Sequence, residues 1–294
     1  MKRFIKVIAF VLICAILSKT STVEAAASKS TAKTTTVSPY QIKVNRIANC
    51  VTVYKMDLTG NYEPYRSFAC SVGKNIYETP LGTYKTSDYY DWRLMVDGTY
   101  AQYAVRIYKG ILFHSVPYLS PSPDTLEADQ FNLLGEYASL GCIRLCTADA
   151  KWIYDNIPQN TEVIIYDDAL NPGPLGKPTM MKTWENTTIS GWDPTDTRAN
   201  NPWNLIKPSI YLKYDFGNDY LYVIQGTDLS NIKAYIGCQS YTGEQLSNED
   251  YEVYINGNYD LTKTGTYKVW VYVTDNLGLM TQKEYTMIVI SATK

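Results

Sequence analysis

Histidine is the scarcest reactive residue in this sequence, which has one, His114, among 294 residues. Structural zinc sites usually need several His or Cys ligands at short spacing. Cys142 and Cys146 are the residues that could join His114 as ligands, and these three make only a weak ligand set. We therefore expect no metal and no other cofactor. Any mechanism that needs an imidazole has to use His114.

Long apolar runs are also absent, apart from residues 7–17, which follow a basic start and precede small residues at 23–27. This order is typical of a secretory signal peptide, which we predict over residues 1–26. A run of about ten residues is short for a bilayer span, which takes about 20. An uncleaved anchor is the alternative: a cleaved signal predicts a secreted, extracytoplasmic protein, and an anchor would attach the same extracytoplasmic protein to the membrane.

Charge is sparse, at 19% of residues with a formal net charge of −2. Signal cleavage would remove four cations and one anion and leave about −5. An acidic chain of this kind is a poor partner for nucleic acid, and membrane contact is expected only through an uncleaved signal segment. Cleavage also leaves five cysteines, an odd number, so a monomer keeps at least one free thiol.

The remaining sequence divides by composition into four segments. Residues 27–39 are a Ser/Thr/Ala/Lys tract without apolar periodicity, which predicts a flexible tether. Residues 40–170 alternate apolar and polar positions as β-strands do. Residues 171–204 are rich in Pro, Gly, Asn and Thr and predict a linker. Residues 205–294 contain short strands at regular spacing, which favours a small β-sandwich. The fold class is therefore mainly β.

A hairpin is predicted around Gly60, and it carries an expectation about two cysteines. If the strands are symmetric about Gly60, Cys50 lies opposite Cys70. Directly opposed Cβ atoms are about 4.5 to 5.5 Å apart, which permits a disulfide. Two buried thiols are the alternative, because a one-residue slip in register separates the pair.

The residues around Cys142 suit a cysteine nucleophile. Gly141 lets a substrate backbone approach the thiol, and Arg144 supplies a positive charge that favours the thiolate. An ordinary thiol is only a few per cent ionised at neutral pH and needs a base, for which His114 is the available imidazole. The sequence has no Gly-x-Ser-x-Gly elbow for a serine hydrolase.

These residues resemble the L,D-transpeptidase catalytic domain family, whose signature is a His-Ser segment followed by Ser-His-Gly-Cys and then Asn or Arg two residues after the Cys. The resemblance extends over about residues 41–166, and Thr79 to Tyr84 resemble the family's Thr-Pro-x-Gly element. The matching site residues are His114, Ser115, Ser139, Gly141, Cys142 and Arg144.

The resemblance implies a β-sandwich catalytic domain at residues 40–170. There Cys142 would attack the third residue of a peptidoglycan tetrapeptide stem, with His114 as its base. D-Ala would leave, an amine acceptor would take the acyl group in a 3→3 cross-link, and an L,D-carboxypeptidase side activity and inhibition by carbapenems are expected. Ser115 and Ser139 would support the site, the Gly141 and Cys142 backbone N–H groups are oxyanion-hole candidates, and Arg144 would stabilise the thiolate or a substrate carboxylate.

The sequence departs from the family's pattern at two places, and two other functions are alternatives. Leu140 stands where many members have a second His, and the residues between Leu119 and Tyr137 lengthen the His-to-Cys interval, as a loop or lid would. A sortase-like enzyme is disfavoured because its Thr-Leu-x-Thr-Cys strand is absent. A non-catalytic, cell wall-binding protein is the other alternative. Residues 205–294 resemble bacterial immunoglobulin-like modules, which implies a spacer or a wall adhesin.

Overall fold

Strands make up most of the regular structure in the computed structural model, which describes residues 37–184 and 187–292. The mainly β prediction is thereby confirmed. The predicted signal peptide and residues 27–36 of the predicted tether lie outside the described residues. Within those residues, no helix has both the length and the apolar character that a membrane span requires.

Two sheets form in the first part of the described chain. The first has the strand order β3-β2-β1-β9-β4 and the second the order β5-β6-β7-β8. The strands are β1 (Tyr40–Asn45), β2 (Cys50–Met56), β3 (Tyr62–Ala69), β4 (Gly82–Lys85), β5 (Tyr89–Leu94), β6 (Tyr100–Tyr108), β7 (Ile111–Ser115), β8 (Ile143–Leu145) and β9 (Glu162–Tyr166). Their inward-facing Val, Ile and Phe side chains share one core, as alternation along half-buried strands requires.

Two α-helices accompany these strands: α1 (Ala128–Phe131) and α2 (Thr147–Asn156). Helix α2 buries Ala150 and Ile153 in the core. Its N-terminus is capped from a distance, because Asp193 Oδ2 accepts the Thr147 N–H at 2.7 Å. A carboxylate at this end satisfies a free donor and suits the helix dipole. Helix α1 lies in the stretch after Leu119 that was expected to be a loop.

The C-terminal part has six strands among the described residues: β10 (Ser209–Leu212), β11 (Tyr220–Ile224), β12 (Ile236–Gln239), β13 (Tyr251–Asn256), β14 (Gly265–Asp275) and β15 (Met280–Ile290). They form one sheet of order β11-β15-β14-β13 and a small sheet of β10 and β12. Strands β11 and β15 pair in parallel. Short 3-10 helices occur at Ile76–Glu78, Pro202–Leu205 and Leu229–Ala234. The immunoglobulin-like assignment of this part remains a prediction.

The predicted Cys50–Cys70 disulfide is wrong in this structure, although the β2–β3 hairpin itself is confirmed. Met56 pairs with Tyr62, so the hairpin is centred on Thr59 rather than on Gly60, and even after the bulge between Val53 and Tyr54 Cys50 lies opposite Ala69. Neighbouring positions on a strand point to opposite faces, so the two thiols no longer face each other. Both cysteines are buried and free.

Buried polar contacts join the two parts of the chain, which form one compact unit after residue 36. The Arg66 guanidinium pairs with Asp149 at 3.2 Å and lies 4.7 Å from the ring of Trp270 in β14. Asn256 at the end of β13 donates to Ser67 Oγ at 2.7 Å. The domain boundaries predicted from composition remain predictions, and residues of the proposed linker contribute the Asp193 cap described above.

Candidate active site

The pairing of β7 with β8 brings the predicted site residues together. The two strands run parallel, with His114 directly opposite Arg144. Cys142 immediately precedes β8 and lies two residues before Arg144. Directly paired residues share a face of a sheet, so the His114 and Arg144 side chains lie on one face, and the charge of Arg144 acts on Cys142. The His114 segment and the segment that follows Cys142 are therefore neighbours in one sheet.

His114 is held in an orientation that suits a base. Its ring is buried, with 1% of its surface exposed. Nδ1 lies 2.5 Å from the carbonyl oxygen of Ser115. A carbonyl only accepts hydrogen bonds, so Nδ1 carries the proton and Nε2 keeps its lone pair. Nε2 is buried and has no protein hydrogen-bond partner, which leaves it available to take a proton from a neighbouring thiol.

Cys142 is the most accessible of the described cysteines. It is partly exposed, whereas Cys50, Cys70, Cys146 and Cys238 are buried. Its Sγ donates to the carbonyl oxygen of Gly110 at 3.4 Å. A thiol has one proton to donate, so a hydrogen bond to His114 would form only after this contact breaks. Unliganded enzymes often show such incomplete catalytic hydrogen bonds.

Burial dominates the electrostatics of both groups. Burial, and secondarily the charge of Arg144, lowers the pKa of His114 to about 4. Burial raises the pKa of the Cys142 thiol, although a backbone hydrogen bond with Leu112 and the charge of Arg144 act in the opposite direction. Arg144 thus favours the thiolate as expected, but burial outweighs it. At neutral pH the resting pair is therefore a thiol beside a neutral imidazole.

The low pKa of His114 predicts a pH-dependent loss of stability. The unfolded chain binds the proton at the ordinary value of 6.5 and the folded chain only at about 4. The neutral imidazole therefore contributes fully above pH 6.5, and its contribution falls by about 3 kcal/mol as the pH drops to 4. Between pH 7 and pH 4, the free energy of unfolding measured with urea should fall by about 3 kcal/mol more for the wild type than for His114→Gln. The two proteins have the same carboxylates, so the carboxylate contributions cancel in this comparison. Parallel stability curves for the two proteins would contradict the buried neutral imidazole.

The loop before Cys142 is fixed by short-range hydrogen bonds. Ser139 Oγ accepts the Gly141 N–H at 3.0 Å and donates to the Cys142 carbonyl at 2.6 Å. Thr79 Oγ1 donates to the Gly141 carbonyl at 2.8 Å. An oxyanion would have to compete with Ser139 for the Gly141 N–H. Ser139 and Thr79 therefore position the nucleophile loop.

Glycine is required at position 141. Its φ of +117° lies in the region that favours glycine, and an added Cβ would stand 2.5 Å from the Glu78 carbonyl oxygen. We expect Gly141→Ala to lose about 1–3 kcal/mol of stability through strain and to lose most of its activity, because the backbone that carries Cys142 must move. Thermal unfolding and the rate of Cys142 alkylation measure the two effects.

A matched control is Gly60→Ala, which has a φ of +89° with nothing within 4 Å of the added Cβ. That variant isolates the backbone strain, and we expect it to keep the alkylation rate of the wild type. Equal behaviour of the two variants would show that the Glu78 contact is unimportant.

The side chains of Ser115 and Arg144 make different kinds of contact at the site. The Ser115 hydroxyl accepts the Gln102 N–H and donates to the Val116 carbonyl, each at 2.8 Å. The Ser115 side chain therefore links β7 to β6, and its backbone carbonyl orients the His114 ring. The Arg144 guanidinium donates to Gln130 Oε1 at 2.8 Å and to the Ala138 carbonyl at 3.2 Å. Ser115 is thus a positioning group, whereas Arg144 carries charge at the site.

Some residues at the site were not singled out from the sequence. Gln130, on the unexpected helix α1, holds Arg144. The negative charge of Asp97, in the turn before β6, acts on both His114 and Arg144. Neither residue stands in a motif, so only the fold reveals them. Thr79 belonged to the Thr-Pro element already noted, but its role beneath Gly141 required the structure.

The comparisons with known proteins bear on this region of the chain. Residues 39–165 match the family model of the L,D-transpeptidase catalytic domain, YkuD. Among curated proteins, the "Putative L,D-transpeptidase YciB" of Bacillus subtilis (strain 168) is 32% identical over 114 residues. That alignment covers 39% of this chain and 55% of YciB, so the chain spans a little over half of that relative.

Solved structures with similarity to the chain include two L,D-transpeptidases. One is LdtMt1 in complex with imipenem, with 23% identity, coverage of 44% of this chain and 59% of that chain, and a TM-score of 0.35. The other is L,D-transpeptidase 3 from Mycobacterium tuberculosis in complex with a faropenem-derived adduct. It has 25% identity, coverage of 44% and 61%, and a TM-score of 0.33. The family match over residues 39–165 contains every residue of the site described above.

Proposed function

We propose that this protein is a secreted, cell wall-associated L,D-transpeptidase that modifies peptidoglycan stem peptides through Cys142. The observation that carries the proposal is the parallel pairing that places His114 opposite Arg144, two residues after Cys142, within the region that matches the L,D-transpeptidase catalytic domain. The buried imidazole with a free Nε2 suits a base, and the partly exposed thiol suits a nucleophile.

In the proposed reaction, His114 takes the thiol proton as the Cys142 sulfur attacks the carbonyl carbon of the third stem residue. The C–N bond to the terminal D-Ala breaks, and His114 returns the proton to the leaving amine. The resulting thioester is attacked by an acceptor amine, which forms the 3→3 amide as the C–S bond breaks. Water in place of the amine would give the carboxypeptidase side reaction.

The resting protonation states agree with this order of events. A thiol with a raised pKa and an imidazole with a lowered one both remain neutral until substrate arrives. Proton transfer would then accompany the attack rather than precede it. Carbapenems are expected to acylate Cys142, since ring opening uses the same sulfur and the same developing oxyanion. The part after residue 204 would serve as a spacer or wall-binding module.

The test is mass spectrometry of muropeptides after incubation with the purified protein. We expect dimers linked 3→3 and release of one D-Ala per donor stem. Tripeptide without dimer would indicate carboxypeptidase activity. Binding to peptidoglycan with no new product, together with no carbapenem adduct, would instead support the non-catalytic wall-binding alternative.

A further inference from the structure

Among the described residues, Arg144 is a buried cation that forms no direct ion pair, although the negative charges of Asp97, Glu127 and Asp129 act on it from farther away. Its side chain lies on β8 with 7% of the residue exposed. Among the described residues, no carboxylate lies within ion-pair distance of the guanidinium, whose Nε is buried and unpaired. Burying a charge without a counter-ion costs several kcal/mol. A protein that keeps such a group has a use for its charge.

The other buried arginines of the described chain are neutralised. Arg46 and Arg66, each with 4% of its surface exposed, pair with Asp167 at 2.7 Å and with Asp149 at 3.2 Å. Arg144 instead has the neutral oxygens of Gln130 and Ala138 as its acceptors. Arg144 therefore differs from Arg46 and Arg66 in the charge of its hydrogen-bond acceptors, whereas all three arginines are similarly buried.

Gln130 separates Arg144 from a carboxylate. The Gln130 amide donates from Nε2 to Asp129 Oδ2 at 2.9 Å, and this bond directs Oε1 toward Arg144. A glutamate at position 130 would have the same shape and would place a negative charge on the guanidinium. The amide therefore holds Arg144 in position and leaves its charge free.

We propose that Gln130 is a positioning residue that presents Arg144 as an anion subsite beside Cys142. Arg144 lies two residues after Cys142 and opposite His114, so an anion bound there would adjoin the thiol. Resting on the proposed function, the ligand is the terminal carboxylate of the donor stem, which belongs to the residue that leaves. Arginine is well suited to a carboxylate because its planar fork makes paired hydrogen bonds.

A first experiment uses no peptide substrate. Iodoacetate and iodoacetamide have nearly the same shape, and each alkylates a thiolate as the new S–C bond forms and iodide leaves. The measured quantity is the ratio of their rate constants at Cys142, located by peptide mapping. We expect Gln130→Glu to lower the iodoacetate-to-iodoacetamide ratio about tenfold, the size expected when one nearby charge is neutralised.

Two variants make the result specific. Gln130→Met removes one acceptor without adding charge, while the Ala138 carbonyl still holds Arg144, so this variant measures the loss of positioning alone and should lower the ratio by no more than about threefold. Gln245→Glu adds the same charge at an exposed position of the C-terminal part and should not change the ratio. An unchanged ratio in Gln130→Glu, or equal losses in the Glu and Met variants, would overturn the subsite.

A second experiment names the ligand. Tetrapeptide stems ending in a carboxylate or a carboxamide are compared as donors, and the wild type should prefer the carboxylate by about tenfold in kcat/KM. Gln130→Glu should lose that preference. Turnover of both donors at equal rates would overturn the subsite while leaving the transpeptidase assignment intact. No turnover of either donor, with the alkylation ratio behaving as expected, would keep the anion subsite and overturn the proposed function.

Discussion

Replacing Cys142 with alanine is expected to abolish formation of 3→3 cross-links while leaving the fold intact. The thiolate forms the covalent intermediate in the proposed reaction, and no other described residue at the site offers a nucleophile of the same kind. The side chain is small and partly exposed, so its truncation should cost little stability. Muropeptide mass spectrometry and thermal unfolding of the same preparation measure the two expectations.

The matched control is Cys146→Ala, four residues further along the chain. Cys146 is buried, and its thiol donates to Asp149 Oδ2 at 3.2 Å. Burial raises the pKa of this thiol well above its ordinary value, so it is a poor nucleophile. We expect the control to retain activity with some loss of stability. Retention of full product in Cys142→Ala would refute the nucleophile assignment.

Replacing His114 with alanine is expected to lower turnover by about 10² to 10⁴, the usual contribution of a positioned base. Acylation of Cys142 by a carbapenem should slow as well, because burial raises the pKa of the thiol and leaves it protonated at neutral pH. Raising the pH toward 9 should restore part of the rate by ionising the thiol directly. The rate of adduct formation against pH, measured by mass spectrometry, tests both statements.

The location of the adduct is the second part of this test. We expect one equivalent on Cys142, since the remaining described cysteines are buried. Peptide mapping that placed the adduct on Cys146 or Cys238 would contradict the proposed pair. An adduct on Cys142 that formed at the same rate without His114 would leave the nucleophile assignment and remove the base.

Local patterns in the sequence were sufficient for many of the strands. Alternation over residues 40–170 and regularly spaced short strands over 205–294 were predicted, and the structure has strands such as Tyr100–Tyr108, Glu162–Tyr166 and Tyr220–Ile224 there. Glu162–Tyr166 and Tyr220–Ile224 alternate buried and more exposed positions, whereas Tyr100–Tyr108 is buried along most of its length. The short strand Ile236–Gln239 and helix α1 were missed, because four-residue elements carry too little periodicity to be recognised.

Long-range pairing determined the features that the sequence left open or predicted wrongly. The β2–β3 hairpin is centred on Thr59 rather than on Gly60, so Cys50 lies opposite Ala69 and the expected disulfide is absent. Thr147 is of a residue type that often caps helices, yet it is the first helical residue of α2, and Asp193 provides the cap from 46 residues away. Register and capping by a distant residue depend on the whole fold, which no local pattern reports.

The features of the active site can also be separated into those that the sequence predicted and those that only the tertiary structure determined. The sequence by itself identified Cys142 and His114, because a single histidine and a Gly-Cys segment leave few alternatives for a cysteine nucleophile and its base. Only the tertiary structure decided that β7 and β8 pair in parallel, with His114 opposite Arg144, two residues after Cys142. It also decided that burial outweighs Arg144 in setting the pKa of the thiol, and that Gln130 leaves Arg144 without a counter-ion. Residue type determines what a group can do chemically, whereas desolvation and neighbouring charges, which exist only in the folded chain, determine its protonation and its partners.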